Sequence, residues 1–430
     1  MPRPALLLVL AATLLTPPVV GQSDFVSADA LRSAGLATFW QFQVSLEPDQ
    51  AILDAYLVDD HLYLGTNDGY VFALDARTGV LRWLQPVTRS GYRLRRPCHA
   101  AGRTIFVTPV DIQAYDKLTG DGVGRQALRF PPGSGCASDG DRVFVGGLDA
   151  RVYAFDARTL AVDWKITVDG PVRATPVVQG RDVLIADDGR SVYCTTRTRK
   201  GYRWSVMTSG ANSADLVTDD AGVYVASQDQ SLYVYDLGYV GGGGGHLRWR
   251  ALFNAPLRDP PVVTPHTVFQ YVPGTGLAAL ETGQPYEVDE RVRWMLPEGR
   301  AALTVHEGRV YVLGSEELLA VELKSGTVTH RVPTPGLSIG LPSPDNASIY
   351  LVASNGRIFC ARPIGAPPLR DSDIRAAETP GTAQPPNEES AATQPAAAAA
   401  PPLDVIRSRQ TGAPVGGKSK VTRGFRGDGK

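Results

Sequence analysis

One motif recurs along most of this chain and constrains its fold more than any other feature. The copy at residues 62–83 has a short apolar run, a turn, a second apolar run, a tight turn at Thr78 and Gly79, and a last strand that ends in tryptophan. Residues 143–164 repeat this order closely. Short strands joined by tight turns are typical of an antiparallel β-meander. The chain is therefore predicted to have a repeated, all-β architecture.

Further copies follow the same outline with weaker matches. Residues 105–130 and 310–330 lack the final tryptophan, and residues 349–360 stop before the last strand. The other copies lie at 183–204, 223–249 and 268–294. The copies recur about every 40 residues, which is the period of a four-stranded propeller blade. Eight copies predict an eight-bladed β-propeller of antiparallel blades, and seven blades is the alternative if a weak copy is not a blade.

The tryptophans fix the register of the repeats. Five of the six end a copy: Trp83, Trp164, Trp204, Trp249 and Trp294. Trp40 instead precedes the first copy, and the copy at 349–360 lacks the strand that such a tryptophan would end. We therefore predict that the N-terminal strand completes the last blade and closes the ring. Closure removes the free sheet edge that would otherwise favour aggregation.

The residues shared by the copies suit packing rather than chemistry. Asp75, Thr78 and Gly79 are predicted to form a hairpin turn that needs a positive φ, and Asp156 takes the place of Asp75 in the next clear copy. A large indole can fill the wedge between two neighbouring sheets. These positions are predicted to be structural.

Together these residues resemble the pyrroloquinoline-quinone-like repeat of the WD40/YVTN/PQQ-like propellers. Its pattern, Ala-x-Asp-x-x-Thr-Gly-x-x-x-Trp, is complete at residues 73–83 and lacks only the glycine at residues 154–164. The resemblance covers residues 39–363. The family contains quinoprotein dehydrogenases and the BamB-type scaffold of the outer-membrane barrel assembly machinery. The resemblance therefore implies the fold far more firmly than any activity.

Both ends of the chain differ from the repeats. Residues 1–21 have a basic start, an apolar run and small residues at the end, which predicts a signal peptide and a secreted or periplasmic protein without a lipid-anchor cysteine. Residues 22–38 are predicted to form an N-terminal segment with a short helix near 28–36. Residues 364–430 are rich in Pro, Ala, Gln and Thr and end in a basic stretch, which predicts a disordered tail.

The four cysteines allow at most one plausible disulfide. Cys98 and Cys136 each lie four residues before a glycine that precedes a second strand, so they occupy equivalent places in neighbouring blades. An oxidising compartment would permit a bridge between them, and two free thiols are the alternative. Cys194 and Cys360 fill the alanine position of the repeat in blades on opposite sides of the ring, where they are predicted to be buried and unpaired.

The sequence contains no recognisable catalytic residues. Its six histidines lack metal-ligand spacing, no two cysteines are adjacent, and we find no calcium or pyrroloquinoline quinone ligands, so we expect no cofactor. A net charge of −1 gives no indication of nucleic-acid binding. The leading hypothesis is an exported, monomeric scaffold that binds a protein or peptide partner, with envelope-protein assembly suggested by the resemblance. A quinone- or metal-dependent oxidoreductase and a purely structural extracellular module are the alternatives.

Overall fold

The computed structural model describes residues 24–198, 201–220, 222–238, 243–282, 291–344 and 346–367. All of these belong to one of the two compact units of the chain. The predicted signal peptide and nearly all of the predicted tail lie outside the described residues. The first elements are helix α1 (Ala28–Ser33) and strand β1 (Leu36–Gln43).

Eight antiparallel sheets of four strands follow, which confirms the predicted fold class and excludes the seven-bladed alternative. Blades 1 to 4 each pair their strands in chain order. Their strands are, for blade 1, β2 (Ile52–Val58), β3 (His61–Thr66), β4 (Tyr70–Asp75) and β5 (Leu81–Pro86); for blade 2, β6 (Cys98–Ala100), β7 (Arg103–Val107), β8 (Asp111–Asp116) and β9 (Gly122–Ala127); for blade 3, β10 (Pro132–Ser138), β11 (Arg142–Gly147), β12 (Arg151–Asp156) and β13 (Val162–Thr167); and for blade 4, β14 (Val177–Gln179), β15 (Asp182–Ala186), β16 (Ser191–Thr196) and β17 (Tyr202–Met207).

Blades 5 to 7 keep the same order, and blade 8 borrows its fourth strand. The strands are, for blade 5, β18 (Val217–Thr218), β19 (Gly222–Ser227), β20 (Ser231–Asp236) and β21 (Leu247–Leu252); for blade 6, β22 (Val262–Val263), β23 (Thr267–Val272), β24 (Gly276–Glu281) and β25 (Val292–Leu296); for blade 7, β26 (Ala301–His306), β27 (Arg309–Leu313), β28 (Glu317–Glu322) and β29 (Val328–Pro333); and for blade 8, β30 (Ile339–Leu341), β31 (Ile349–Val352) and β32 (Arg357–Pro363).

Strand β1 closes the ring, as predicted. It pairs with β32 in the order β1-β32-β31-β30, and Trp40 lies opposite Cys360. The first strand of blade 1, β2, contacts the first strand of blade 8, β30. The first strands therefore surround the ring axis, and the fourth strands form its rim.

The middle strands of each blade are buried because neighbouring blades cover both of their faces. All six residues of β3 are buried, and five of the six residues of β4 are buried. The clusters of buried residues join adjacent blades, for example Leu62 of blade 1 with Tyr350 of blade 8. A sheet that is covered on both faces requires such continuous apolar runs.

Helix α1 packs at the seam between blades 7 and 8. Ser27 caps its first turn, and Leu31 is buried against residues that include Tyr311. The Tyr311 hydroxyl donates to the Ala34 carbonyl at 3.2 Å. The helix ends at Ser33, three residues short of the predicted end, because Gly35 has a φ of +77° and turns the chain into β1. The closing strand consequently starts at Leu36, earlier than the predicted ring boundary.

Candidate functional site

The tryptophans of the repeat lie at the seams between blades. Four of them donate the indole N–H to a carbonyl in the next blade: Trp40 to Ala76 at 3.2 Å, Trp83 to Lys117 at 3.1 Å, Trp164 to Arg197 at 3.2 Å and Trp294 to Leu323 at 2.9 Å. Trp204 and Trp249 occupy the same register, opposite Cys194 and Val234. Each accepting carbonyl begins the turn between the third and fourth strands. The indoles therefore join the blades to one another.

The turn residues of the repeat have matching structural roles. The Asp75 carboxylate accepts from the backbone N–H groups of Arg77 and Thr78, at 3.0 and 3.2 Å. Asp156 does the same for its own turn, and hydrogen bonds from Thr159 lower the pKa of Asp156. Gly79 has a φ of +72°, and a Cβ atom there would lie 2.5 Å from the Trp40 ring. Glycine therefore suits this position for two reasons: the turn needs a positive φ, and the Trp40 ring of the preceding blade leaves no room for a side chain.

The two ends of the strands define two faces of the ring. We use the term loop face for the side that carries the turns between second and third strands and the connections between blades. The connection between blades 1 and 2, residues 87–97, crosses this face from the rim to the axis because it joins β5 to β6. We call it the arginine loop, since it contains four arginines: Arg89, Arg93, Arg95 and Arg96.

The arginine loop is held in place by neighbouring backbone and side chains. Near the rim, the carbonyl of Gly69 accepts from the N–H groups of Val87 and Thr88 at 3.0 and 3.1 Å. Farther along the loop, Asp54 accepts from Arg93 Nε at 2.9 Å and from the Leu94 N–H at 3.0 Å. The loop is therefore ordered before any ligand binds.

A groove lies between the arginine loop and the adjacent turn of blade 2. It encloses about 210 Å³. Tyr92 and Val110 are each 50% exposed at its edges. Its lining comprises Pro86, Val87, Thr88, Arg89, Tyr92, Thr108, Pro109, Val110, Gln113, Tyr115 and Arg125. The groove thus combines exposed apolar groups with two arginines.

A buried carboxylate organises the blade 2 side of the groove. Asp111 is 3% exposed and accepts from Thr108 Oγ1 at 2.6 Å, Gln113 Nε2 at 2.7 Å and Arg125 Nε at 2.6 Å. Burial by itself raises the pKa of Asp111, but these three hydrogen bonds outweigh it, and the net effect is a lowered pKa. Tyr115 completes the floor, with its hydroxyl donating to Gln113 Oε1 at 2.7 Å and its ring stacked on Trp83.

The groove and the arginine loop carry an excess of positive charge. Five arginines lie along them, and two of these form ion pairs, Arg93 with Asp54 and Arg125 with Asp111. The Arg95 and Arg96 side chains donate to the carbonyls of Gly133 and Leu57. Burial lowers the pKa of Arg95, and the charge of Arg173 lowers it further. Within the described residues, the Arg89 side chain forms no ion pair and no hydrogen bond, and it is exposed.

The axial end of the arginine loop adjoins two partly buried acidic groups, Tyr56 and Asp215. Burial, with the nearby Asp54 carboxylate, raises the pKa of Tyr56 to about 12, and its hydroxyl donates to the Leu94 carbonyl at 3.0 Å. Burial also raises the pKa of Asp215, which accepts from the Thr175 N–H at 2.7 Å and feels the opposing charge of Arg96. The Tyr56 hydroxyl therefore anchors the loop at Leu94, and Asp215 anchors the chain at Thr175.

Cys98 and Cys136 meet at the seam between blades 2 and 3, directly after the arginine loop. All four cysteines are buried and present as free thiols. Cys194 and Cys360 lie opposite Trp204 and Trp40 in blades 4 and 8. The bridge between Cys98 and Cys136 therefore stays a prediction at this point.

The described residues contain no group of three His, Cys, Asp or Glu side chains that could bind a metal ion. The described part of the chain also has no helix with the length and apolar character needed to cross a bilayer.

The groove is the main feature that the repeat analysis did not predict. It is formed by a connection between copies, and the repeat pattern describes the strands and their tight turns. A sequence signal was nevertheless present, since the connection at 87–97 carries four arginines within eight residues. The sequence did not indicate that a turn of blade 2 would face this connection.

Comparisons with known proteins agree with this architecture. A family model described as outer membrane protein assembly factor BamB matches residues 109–196 and 175–364. The crystal structure of BamB from Moraxella catarrhalis is similar with a TM-score of 0.61 and 14% identity, over 76% of this chain and 97% of that chain. The computationally designed Ika8 protein is similar with a TM-score of 0.56 and 14% identity, over 75% of this chain and all of that chain. No curated protein matches the sequence.

Proposed function

Because the chain belongs to the family described as outer membrane protein assembly factor BamB, we propose that it is a protein-binding scaffold of the cell envelope. The groove beside the arginine loop is the observation that carries this proposal. It is an ordered, concave surface with exposed apolar and cationic groups, outside the seams that hold the ring together. Its chemistry suits a partner segment that carries apolar and acidic side chains.

The composition of the groove matches that of protein interfaces. Tyrosine and arginine are enriched among the residues that dominate binding energy, and Tyr92 and Arg89 stand at the groove with exposed side chains. The loop is already fixed by Asp54 and Gly69, so a ligand does not have to order it. Preorganisation of this kind favours affinity because less conformational entropy is lost on binding.

Electrostatic attraction to the arginines would orient the partner segment and increase its rate of association. Arginines that line a shallow groove attract carboxylates over about 10 Å at moderate ionic strength, and this attraction weakens as salt is added. A segment that places an acidic residue near Arg89 and an apolar residue against Tyr92 would use both features. We therefore propose an extended, acidic segment of a protein as the ligand class.

Export is part of this proposal. The predicted signal peptide at residues 1–21 lies outside the described residues, so support comes from the sequence pattern and the family. Fractionation of cells that express the full chain should place the protein outside the cytoplasm, with an N-terminus near residue 22. Retention of Met1 in a cytoplasmic protein would contradict this part of the proposal.

Partner capture with matched variants tests the binding function. The full chain and the variants Arg89→Ala, Tyr92→Ala and Leu118→Ala would be used to isolate partners from envelope extracts. Leu118 is 50% exposed, like Tyr92, but lies in a turn between third and fourth strands on the opposite face. Recovery of a defined partner should fall with the two groove variants and persist with Leu118→Ala. Equal recovery by all variants, or no recovery by any protein, would reject the groove as the binding site.

A further inference from the structure

Backbone hydrogen bonds connect blades 2 and 3 at both ends of their first strands, β6 and β10. The N–H of Cys136 in β10 donates to the carbonyl of Arg96 at 3.1 Å, just before β6 begins at Cys98. At the other end, the N–H of Ala101 donates to the carbonyl of Gly140 at 3.2 Å. These two hydrogen bonds lie at opposite ends of β6 and β10, and the two strands contact each other between them.

The two thiols lie within this pair of strands. Cys98 is paired in register with Ile105, and Cys136 Sγ lies 3.4 Å from the carbonyl oxygen of the same Ile105. The two cysteines are 5% and 2% exposed and belong to one buried cluster. The two thiols therefore lie in the same closed seam between β6 and β10.

We propose that Cys98 and Cys136 form a disulfide that links blades 2 and 3 in the exported protein, which rests on the export in the proposed function. Each thiol loses one proton and one electron, and a sulfur–sulfur bond forms between the two residues. The two electrons and two protons pass to the disulfide of a thiol oxidant, which becomes two thiols. Glutathione disulfide or an envelope thiol–disulfide oxidoreductase supplies that oxidant.

The bridge forms before the seam closes. Burial raises the pKa of Cys98 well above its ordinary value, and the adjacent Cys136 thiol adds to this effect. The thiolate is the attacking species in disulfide exchange, so a thiol with a raised pKa reacts slowly once it is buried. The folded, reduced ring should therefore resist oxidation, whereas a ring that folds in the presence of oxidant should acquire the bridge.

The bridge would act on the groove through the arginine loop. Arg96, whose carbonyl accepts from Cys136, is only two residues before Cys98. The Arg95 side chain donates to Gly133, in the same strand as Cys136. A covalent link at this point would attach the axial end of the loop to blade 3. After reduction, only hydrogen bonds would hold that end of the loop to blade 3.

Refolding in a glutathione redox buffer tests the bridge without reference to export or to a partner. The full chain is refolded from denaturant, quenched in acid, and alkylated in denaturant without reductant before peptide mapping. The expected result is two alkylated residues, Cys194 and Cys360, and one linked pair of peptides containing Cys98 and Cys136. Four alkylated cysteines, or a linked pair of any other composition, would overturn the proposal.

Two variants and a second source of protein keep this test decisive. Cys194→Ser combined with Cys360→Ser should leave no alkylated cysteine, and Cys136→Ser should leave three. If Cys136→Ser fails to fold, the count for the first variant still decides the question. The same mapping of protein isolated from the envelope tests the compartment: a bridge after refolding but four thiols in the isolated protein would reject oxidation during export and retain the seam geometry.

Discussion

Leu160 packs beside Gly124 at the seam between blades 2 and 3, where other seams place a glycine beside a tryptophan. Gly124 lies opposite Ala114, in the register that Trp83 occupies opposite Ala73. Leu160 takes the turn position of Gly79 and keeps its positive φ, at +58°. A Cβ atom on Gly124 would lie 3.3 Å from Leu160 Cδ1. The large and the small residue have exchanged places across the seam.

This exchange predicts a strong coupling between the two positions. Leu160→Gly should leave a cavity and lower the free energy of unfolding by about 2–4 kcal/mol. Gly124→Trp should also destabilise, because the indole would overlap Leu160. The double variant restores the arrangement of the Trp83 seam, so its loss should be smaller than the sum of the two. Urea unfolding of all four proteins measures the coupling, and strict additivity would contradict it.

The glycines that face an indole should tolerate substitution less well than other glycines in the same backbone region. In Gly79→Ala the new methyl group meets the Trp40 ring, in addition to the strain of a positive φ. Gly102→Ala provides the control, since Gly102 has a φ of +74° and nothing within 4 Å of a new Cβ atom. The positive φ should lower the free energy of unfolding of both variants by about 1 kcal/mol. The clash with the Trp40 ring should lower that of Gly79→Ala by about 1–3 kcal/mol more. Equal melting temperatures would contradict the packing argument.

The Asp111 carboxylate should stabilise the groove only while it is ionised. Its pKa is lowered from the ordinary value of 3.8, so its contribution is complete above that value and is lost as the pH falls through the folded-state pKa. Asp111→Asn should therefore lower the free energy of unfolding by about 1–3 kcal/mol near neutral pH. The difference from the unaltered protein should shrink as the pH falls below 3.8. A difference that is constant with pH would show that the charge is not responsible.

The scaffold and the quinoprotein alternative predict different results when the protein is titrated with pyrroloquinoline quinone. A scaffold should show no saturable binding of pyrroloquinoline quinone in the presence of calcium, and no dye-linked oxidation of alcohols. Fluorescence titration of the full chain measures the first, and a dye-reduction assay measures the second. Saturable binding together with turnover would reject the proposed function in favour of an oxidoreductase.

The repeats alone were sufficient to predict the ring, because most seams between blades pack the same kinds of residue, a tryptophan against a turn of the next blade. The position of Trp40 also predicted that the N-terminal strand β1 would complete blade 8. The seam at Gly124 was recognised only as a weak copy, since a size exchange preserves packing while removing the pattern. The groove was not predicted, because its shape depends on a connection and on a turn that belong to different blades and share no repeat.

The most direct test of the central claim is photo-crosslinking from the groove in intact envelopes. A photoreactive residue would replace Tyr92 in one protein and Leu118 in another, two positions that are equally exposed on opposite faces. The account predicts one discrete crosslinked product from position 92, mapped by mass spectrometry to an acidic segment of an envelope protein, and its loss when Arg89→Glu is added. Crosslinking that is equal from both positions, or found only at position 118, would contradict it.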